Sequence, residues 1–293
     1  MGHVTIIGAV FLPYVEPELL PRVARAADDA GLEELWLWED CFRTGGVATT
    51  AVALAVTERL RVGVGIYPVP LRNVAIAAME IGTLERLYPG RQVVGVGHGV
   101  QEWMGQVGAR AASPVTLLRE YATALRALLA GAEVSTAGRY VSLDKVQLGW
   151  PPASPPGVHV GAIGPRTLRL AGEFGDGTVL TGGTTADEVR AARATIDEGR
   201  AAGGRTDPHR ITVFLAAATG PGAEERLRAD GARYGFDGSG PYGVAGGPEA
   251  IAAEARRLAD AGADAVIVQP TADDPDPVGF VRFLAEEVTP LVG

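Results

Sequence analysis

Two hydrophobic periods take turns along this chain. Short β-branched runs recur at Val4–Val10, Glu34–Trp38, Arg61–Ile66, Gln92–Gly97, Gly157–Gly161, Gly177–Thr181, Arg210–Ala217 and Asp264–Gln269, the pattern of strands buried on both faces. Between them lie alanine-rich stretches with helical spacing: Glu16–Ala30, Gly46–Thr57, Asn73–Leu87, Pro114–Ala130, Pro165–Phe174, Thr185–Ala202, Gly222–Tyr234 with Gly247–Ala261, and Pro277–Val288. Eight strand–helix repeats in 293 residues predict a TIM (β/α)8 barrel, whose usual length is about 250 residues with room for insertions. A doubly wound open sheet is the alternative. No long linker breaks the repeat, so residues 1-293 are expected to form a single domain. Gly31, Gly90 and Gly262 follow helical stretches where a left-handed cap would end them.

Two segments leave the alternation. After the fourth helix, Glu133-Val134-Ser135 and Arg139-Tyr140-Val141 flank Ala137-Gly138 and read as a small hairpin, followed by the proline-rich run Trp150–Pro156. This is a short insertion. Tyr234–Gly247, rich in glycine and aromatics, is either a flap near the barrel mouth or an ordinary surface loop.

Composition narrows the function classes. A formal net charge of -9 with Lys145 as the only lysine disfavours nucleic-acid binding, so an anion site must be built from backbone or arginine. The single cysteine, Cys41, excludes an intrachain disulfide and points to a reducing cytoplasm. The start Met1-Gly2-His3-Val4 lacks a signal-peptide pattern, and the apolar runs are too interrupted to span a membrane. No metal site is expected, because His3, His98, His159 and His209 lack the spacing of a zinc helix. No Gly-x-Ser-x-Gly elbow marks a hydrolase.

The candidate chemistry sits where predicted strands end. Val160-Gly161-Ala162-Ile163-Gly164-Pro165-Arg166-Thr167 is a strand that breaks at Gly-Pro and opens directly into a helix. Free N–H groups at such a helix start could grip a phosphate, or Gly-Pro merely turns the chain. Other strand ends carry Glu39-Asp40-Cys41-Phe42-Arg43, Tyr67-Pro68, Gly97-His98-Gly99, Thr181-Gly182-Gly183 and Gln269-Pro270-Thr271. In a barrel these converge on one mouth. His98, between two glycines and near the strand-two carboxylates, is a candidate proton carrier. Phe11, Tyr14, Trp38, Trp103 and Met104 either wall an apolar pocket there or simply pack helices.

The succession Gly31–Asp40, Thr57–Ile66, Pro89-Gly90-Arg91 leading to Gly95–Gly99, then Gly164–Thr167 and Ala171–Gly177, resembles the bacterial luciferase-like monooxygenase superfamily. It is most similar to the deazaflavin-dependent, methylenetetrahydromethanopterin reductase-like branch. The resemblance covers nearly the whole chain and implies a TIM barrel of the luciferase-like type, commonly a homodimer, with coenzyme F-420 (8-hydroxy-5-deazaflavin) or FMN at the C-terminal mouth.

That resemblance implies a set of cofactor-binding residues: Asp40 and Cys41 near the ring edge, and Gly65, Ile66 and Tyr67 as a bulge behind the ring, often through a non-proline cis peptide. Gly97, His98 and Gly99 would line the other side, and Ala162, Ile163, Gly164, Pro165, Arg166 and Thr167 would hold the phosphate, with Gly182 nearby. Branch members commonly carry a histidine where Cys41 stands and a glutamate near Val100. His98, Glu39 and Glu102 are the catalytic replacements this chain offers. Beside Glu39 and Asp40, Cys41 lacks the electropositive setting a nucleophile needs. The expected activity is hydride transfer between reduced deazaflavin and a small organic substrate, as C=C or C=N reduction or the reverse oxidation. An FMN-dependent monooxygenase and a noncatalytic cofactor-binding protein are the alternatives.

Overall fold

The computed structural model describes residues 5–236 and 242–293. Eight parallel strands close on themselves: β1 (Ile6–Phe11), β2 (Glu34–Leu37), β3 (Arg61–Pro68), β4 (Gln92–Gly97), β5 (Val158–Gly161), β6 (Gly177–Leu180), β7 (Arg210–Ala218) and β8 (Ala265–Gln269). Each pairs with the next, β6 with β7 and β8 back with β1, so no edge of the ring is left unpaired. The helices around it are α1 (Leu20–Ala30), α2 (Gly46–Ala55), α3 (Val74–Leu87), α4 (Gln101–Gln106), α5 (Pro114–Leu129), α6 (Pro165–Phe174), α7 (Ala186–Ala202), α8 (Ala223–Arg233), α9 (Pro248–Asp260) and α10 (Pro277–Phe283). The predicted barrel is the observed fold. Gly31, Gly90 and Gly262 take positive φ after α1, α3 and α9, where a side chain would strain the backbone.

Alternate residues of each strand face either the helices or the barrel axis. The axis is filled by Val10, Leu12, Trp36, Val93, Val179, Phe214, Ala265 and Ile267. Bulk on one strand is matched by glycine on the next: a Cβ on Gly63 would lie 2.4 Å from the Trp36 indole, and one on Gly65 would lie 2.6 Å from Phe214. Below this layer Glu34, fully buried, accepts hydrogen bonds from Arg210 at 2.8 and 2.6 Å and from Trp36 Nε1 at 2.8 Å, with Arg61 at 3.1 Å. Burial alone would raise the Glu34 pKa, but the arginines hold it below the usual carboxylate range. The floor is closed by charge pairing, so ligands enter from the strands' C-terminal ends.

Several predicted boundaries are corrected. The first helix was expected from Glu16, but a 3-10 turn at Pro17–Leu19 precedes α1, because Pro21 has no N–H to bond the Pro17 carbonyl. The hairpin's second strand is Ser142–Val146, not Arg139–Val141. Glu120 on α5 accepts the N–H groups of Arg139, Tyr140 and Val141, which removes them from the ladder. Helix α4 was missed, so the insertion follows the fifth helix. The last predicted helix changes to a π turn at Leu284–Val288. Of Tyr234–Gly247, residues 237–241 lie outside the described residues, as does Val4 of the first predicted strand; Gly243–Ala245 pairs with β7.

Candidate active site

Strand β3 is irregular where the site begins. Its register with β4 shifts between Val64 and Tyr67, and the Gly65–Ile66 peptide is cis. Glycines on the next two strands make room for the displaced Ile66 side chain. A Cβ on Gly97 or Gly161 would lie 3.0 Å from it, and one on Gly95 would lie 3.1 Å away. Ile66 thus forms an apolar shelf at the mouth, between Gly65 and the buried Tyr67.

Two strands along, β5 ends at Gly161 and α6 begins at Pro165 without any side-chain cap. Pro165 fills the first turn, where its missing N–H costs nothing, and the Gly164 carbonyl accepts from Thr167 and Leu168 N–H at 3.0 Å each. A Cβ on Gly164 would meet nothing within 4 Å, so the approach to this helix start is open. Ile163 and Arg166 are exposed, while Ala162 is buried and donates to the Val179 carbonyl. Thr167 is also buried, with Oγ1 3.2 Å from His98 Nε2. Gly182 sits close to Gln269: a Cβ there would lie 3.1 Å from Oε1.

The candidate proton carriers separate. His98 does not contact the strand-two carboxylates; its Nε2 pairs with Thr167 Oγ1, and burial lowers its pKa. Burial thus favours its neutral form, and the bond to Thr167 braces the α6 loop. Glu39 was expected to be free for acid–base work, but Arg72 clamps both its oxygens and its Oε2 accepts the Gly46 N–H at the start of α2. Its lone pairs are committed. Glu102 is exposed in the first turn of α4, where a carboxylate complements the helix dipole. Asp40 is the group sequence reasoning assigned only to binding: burial pushes its pKa up to about 6, and Arg43 offsets part of that rise. Cys41 is half-buried, and burial, Glu39 and Asp40 all push its thiol pKa up, which excludes a ready thiolate.

Of the proposed apolar wall, Phe11 and Met104 are buried in packing, Met104 beneath Gly99. Trp103 is partly exposed on α4. Trp38 packs at a tilt against Phe214, ring centroids 5.4 Å apart. Two polar atoms at the mouth, Trp38 Nε1 and Thr271 Oγ1, are buried with no partner among the described residues. The sequence reading placed Ile163 at the site but missed Phe42 and Val100 beside it as an apolar rim: on the loops after β2, β4 and β5, Phe42, Val100 and Ile163 are 64%, 46% and 76% exposed. Large side chains left in water on three loops of one face mark a surface that a ligand covers. The only signal in sequence was their place just after strand ends. An open helix start, an apolar shelf and an apolar rim fit a flat aromatic group carrying a phosphate.

A family model described as luciferase-like monooxygenase matches residues 12–274. Over 211 residues, 72% of this chain, the sequence is 30% identical to a 5,10-methylenetetrahydromethanopterin reductase of Methanolobus tindarius, a match covering 64% of that protein. An F420-dependent glucose-6-phosphate dehydrogenase of Intrasporangium calvum is 35% identical over 183 residues, 57% of this chain and 53% of its own. The chain thus spans less than two thirds of the length of these curated relatives. Among solved structures, a coenzyme F420 dependent tetrahydromethanopterin reductase from Methanopyrus kandleri is similar over 100% of both chains, with TM-score 0.85 and 20% identity. An F420-dependent secondary alcohol dehydrogenase in complex with an F420-acetone adduct is similar over 99% of both, with TM-score 0.89 and 21% identity. Those two likenesses are of fold.

Proposed function

Since the chain belongs to the luciferase-like monooxygenase family, we propose that it is an oxidoreductase using coenzyme F420 to exchange hydride with a small organic substrate. The observation that carries the reading is the uncapped, unobstructed start of α6, which follows β5 where Gly161 lies beside the Ile66 shelf. F420-dependent glucose-6-phosphate dehydrogenases at 30% and 35% identity favour deazaflavin over FMN.

When bound, the reduced deazaflavin supplies the hydride. The backbone N–H groups of Gly164 and Arg166 would hold its phosphate, with the Arg166 guanidinium adding charge and His98 fixing Thr167. Ile66 would support its ring, while Phe42, Val100 and Ile163 would exclude water around it. Asp40 holds the proton that the substrate gains or loses, because its carboxyl titrates close to neutrality. That property favours an enzyme over a noncatalytic binder, even with Cys41 and Val100 where the branch commonly has acid–base residues. Titrating the protein with F420 and with FMN separately tests the reading: F420 binds and is turned over, whereas tight binding of FMN alone would reverse it.

The chain works as one domain, residues 1-293, and as a homodimer. The support for a dimer is α2, which carries no charged residue yet exposes Ala48, Val52 and Ala55, and α3, which exposes Ile76, Met79 and Leu87. An exposed helix that is apolar all round calls for a partner. A single half-buried cysteine suits the cytoplasm, and net charge -9 argues against a nucleic-acid partner. No helix among the described residues is long and apolar enough to cross a membrane.

A further inference from the structure

A second charged feature stands at the mouth, apart from the α6 cradle. Tyr14, in the turn after β1, is flanked by two guanidinium groups: Arg43 Cζ is 4.2 Å and Arg233 Cζ 5.1 Å from its ring centroid. They arrive from different segments, Arg43 after β2 and Arg233 from the last turn of α8, in the excursion that follows β7. Cation–π contact holds both in place.

Neither arginine makes an ion pair among the described residues, although many of this chain's other arginines do. The nearby acids do not neutralise them. Asp40 interacts with Arg43 without reaching ion-pair distance, and Asp230 is taken up by the Tyr242 hydroxyl and the Ala272 N–H. Two like charges brought to one ring repel each other, and an oxyanion between them turns that repulsion into two charge-assisted hydrogen bonds.

We propose that Arg43 and Arg233, braced on Tyr14, form a clamp for the oxyanion group, carboxylate or phosphate, of the ligand that reacts at this mouth. The clamp neighbours Asp40, so an acidic substrate gripped there presents its reacting carbon to the carboxyl that handles the proton. The same chemistry could come from the acidic tail of F420. The inference rests on the proposed function only for what the oxyanion is attached to.

Isothermal titration with malonate and with inorganic phosphate tests the clamp on wild type, Arg43→Gln, Arg233→Gln and the double variant, with circular dichroism confirming that each is folded. Anion held at the α6 loop is common to all four proteins, so differences isolate the arginines. The expected result is at least a tenfold loss of probe affinity in the double variant and smaller losses in the singles. Equal affinity in wild type and double variant, or no binding to wild type, would overturn the clamp. Titration with F420 and with its tail-less deazaflavin chromophore then separates the sources. Unchanged affinity for both assigns the oxyanion to the substrate; loss for F420 alone assigns it to the tail. Failure of wild type to bind F420 would sink the proposed function and leave the anion result standing.

Discussion

At the scale of one residue, the proton role proposed for Asp40 would couple pH to turnover. Its pKa of about 6 comes from burial, offset in part by Arg43, so its protonated form fades as pH rises through 6. Turnover in the proton-donating direction should fall over that range, and Asp40→Asn should abolish the limb along with most of the rate, about 10²–10⁴-fold. Single-turnover rates from pH 5 to 8 check this. The same shift has a folding consequence. A carboxyl with a folded pKa above its unfolded value of about 3.9 favours the fold below that value and loses the contribution as pH passes 6. Asp40→Asn should therefore melt higher at pH 7.5, by roughly 2–4 °C if about 1 kcal/mol is relieved, and no higher at pH 4. His98 has a different task. His98→Ala should loosen F420 about three- to tenfold, the worth of roughly 1 kcal/mol of hydrogen bonding to Thr167, and His98→Gln should recover most of it. The sequence showed Glu39, Asp40 and His98 at strand ends but not their partners. Arg72, which commits Glu39, lies 33 residues away, and such pairings are set by the assembled barrel rather than by local pattern.

Among the elements, those whose period comes from the backbone's own geometry were read closely, and those shaped by a distant side chain were not. Strand β4 and helix α6 match their sequence bounds, Gln92–Gly97 and Pro165–Phe174. The hairpin slipped because one carboxylate, Glu120, takes three N–H groups from another element. Glu120→Ala should leave those donors to water and raise amide exchange across residues 134–146, while the barrel strands keep their protection. Short α4 escaped notice because six residues carry too little periodicity. Glycine's role inside the barrel was also hidden, since it answers a neighbour's bulk. Gly63→Ala would press a methyl against Trp36 and should cost about 1–3 kcal/mol in denaturant unfolding.

Across the whole molecule, the closed floor and the apolar flank make separate demands. Burial pushes the pKa of His159 down to about 3 and of His209 to about 4, the latter helped by Arg200, Arg205 and Arg193. Both are neutral in the folded barrel and free to take protons when unfolded, near 6.5. Their contribution is intact above pH 6.5 and is lost as pH falls toward 4. From these two groups alone stability should drop by up to about 2.7 kcal/mol per pH unit, which urea midpoints at pH 7, 6 and 5 would show. On the flank, Met79→Glu puts a charge into the exposed stripe of α3 and should convert a dimer to monomer in sedimentation velocity, with the barrel still folded. The barrel itself was legible because its eight repeats span the chain; the apolar flank showed only once exposure was known.

The central claim is that a phosphate-bearing deazaflavin sits between the Ile66 shelf and the start of α6. Gly164 has ordinary φ and open space around its missing side chain, so Gly164→Val should fold as the wild type does while its branches occupy the phosphate's approach. Equilibrium titration of F420 fluorescence against both proteins is the most direct measurement. The account predicts at least a tenfold weaker affinity in Gly164→Val, about 1.4 kcal/mol or more, at an unchanged melting temperature. Equal affinity in a folded variant would contradict it.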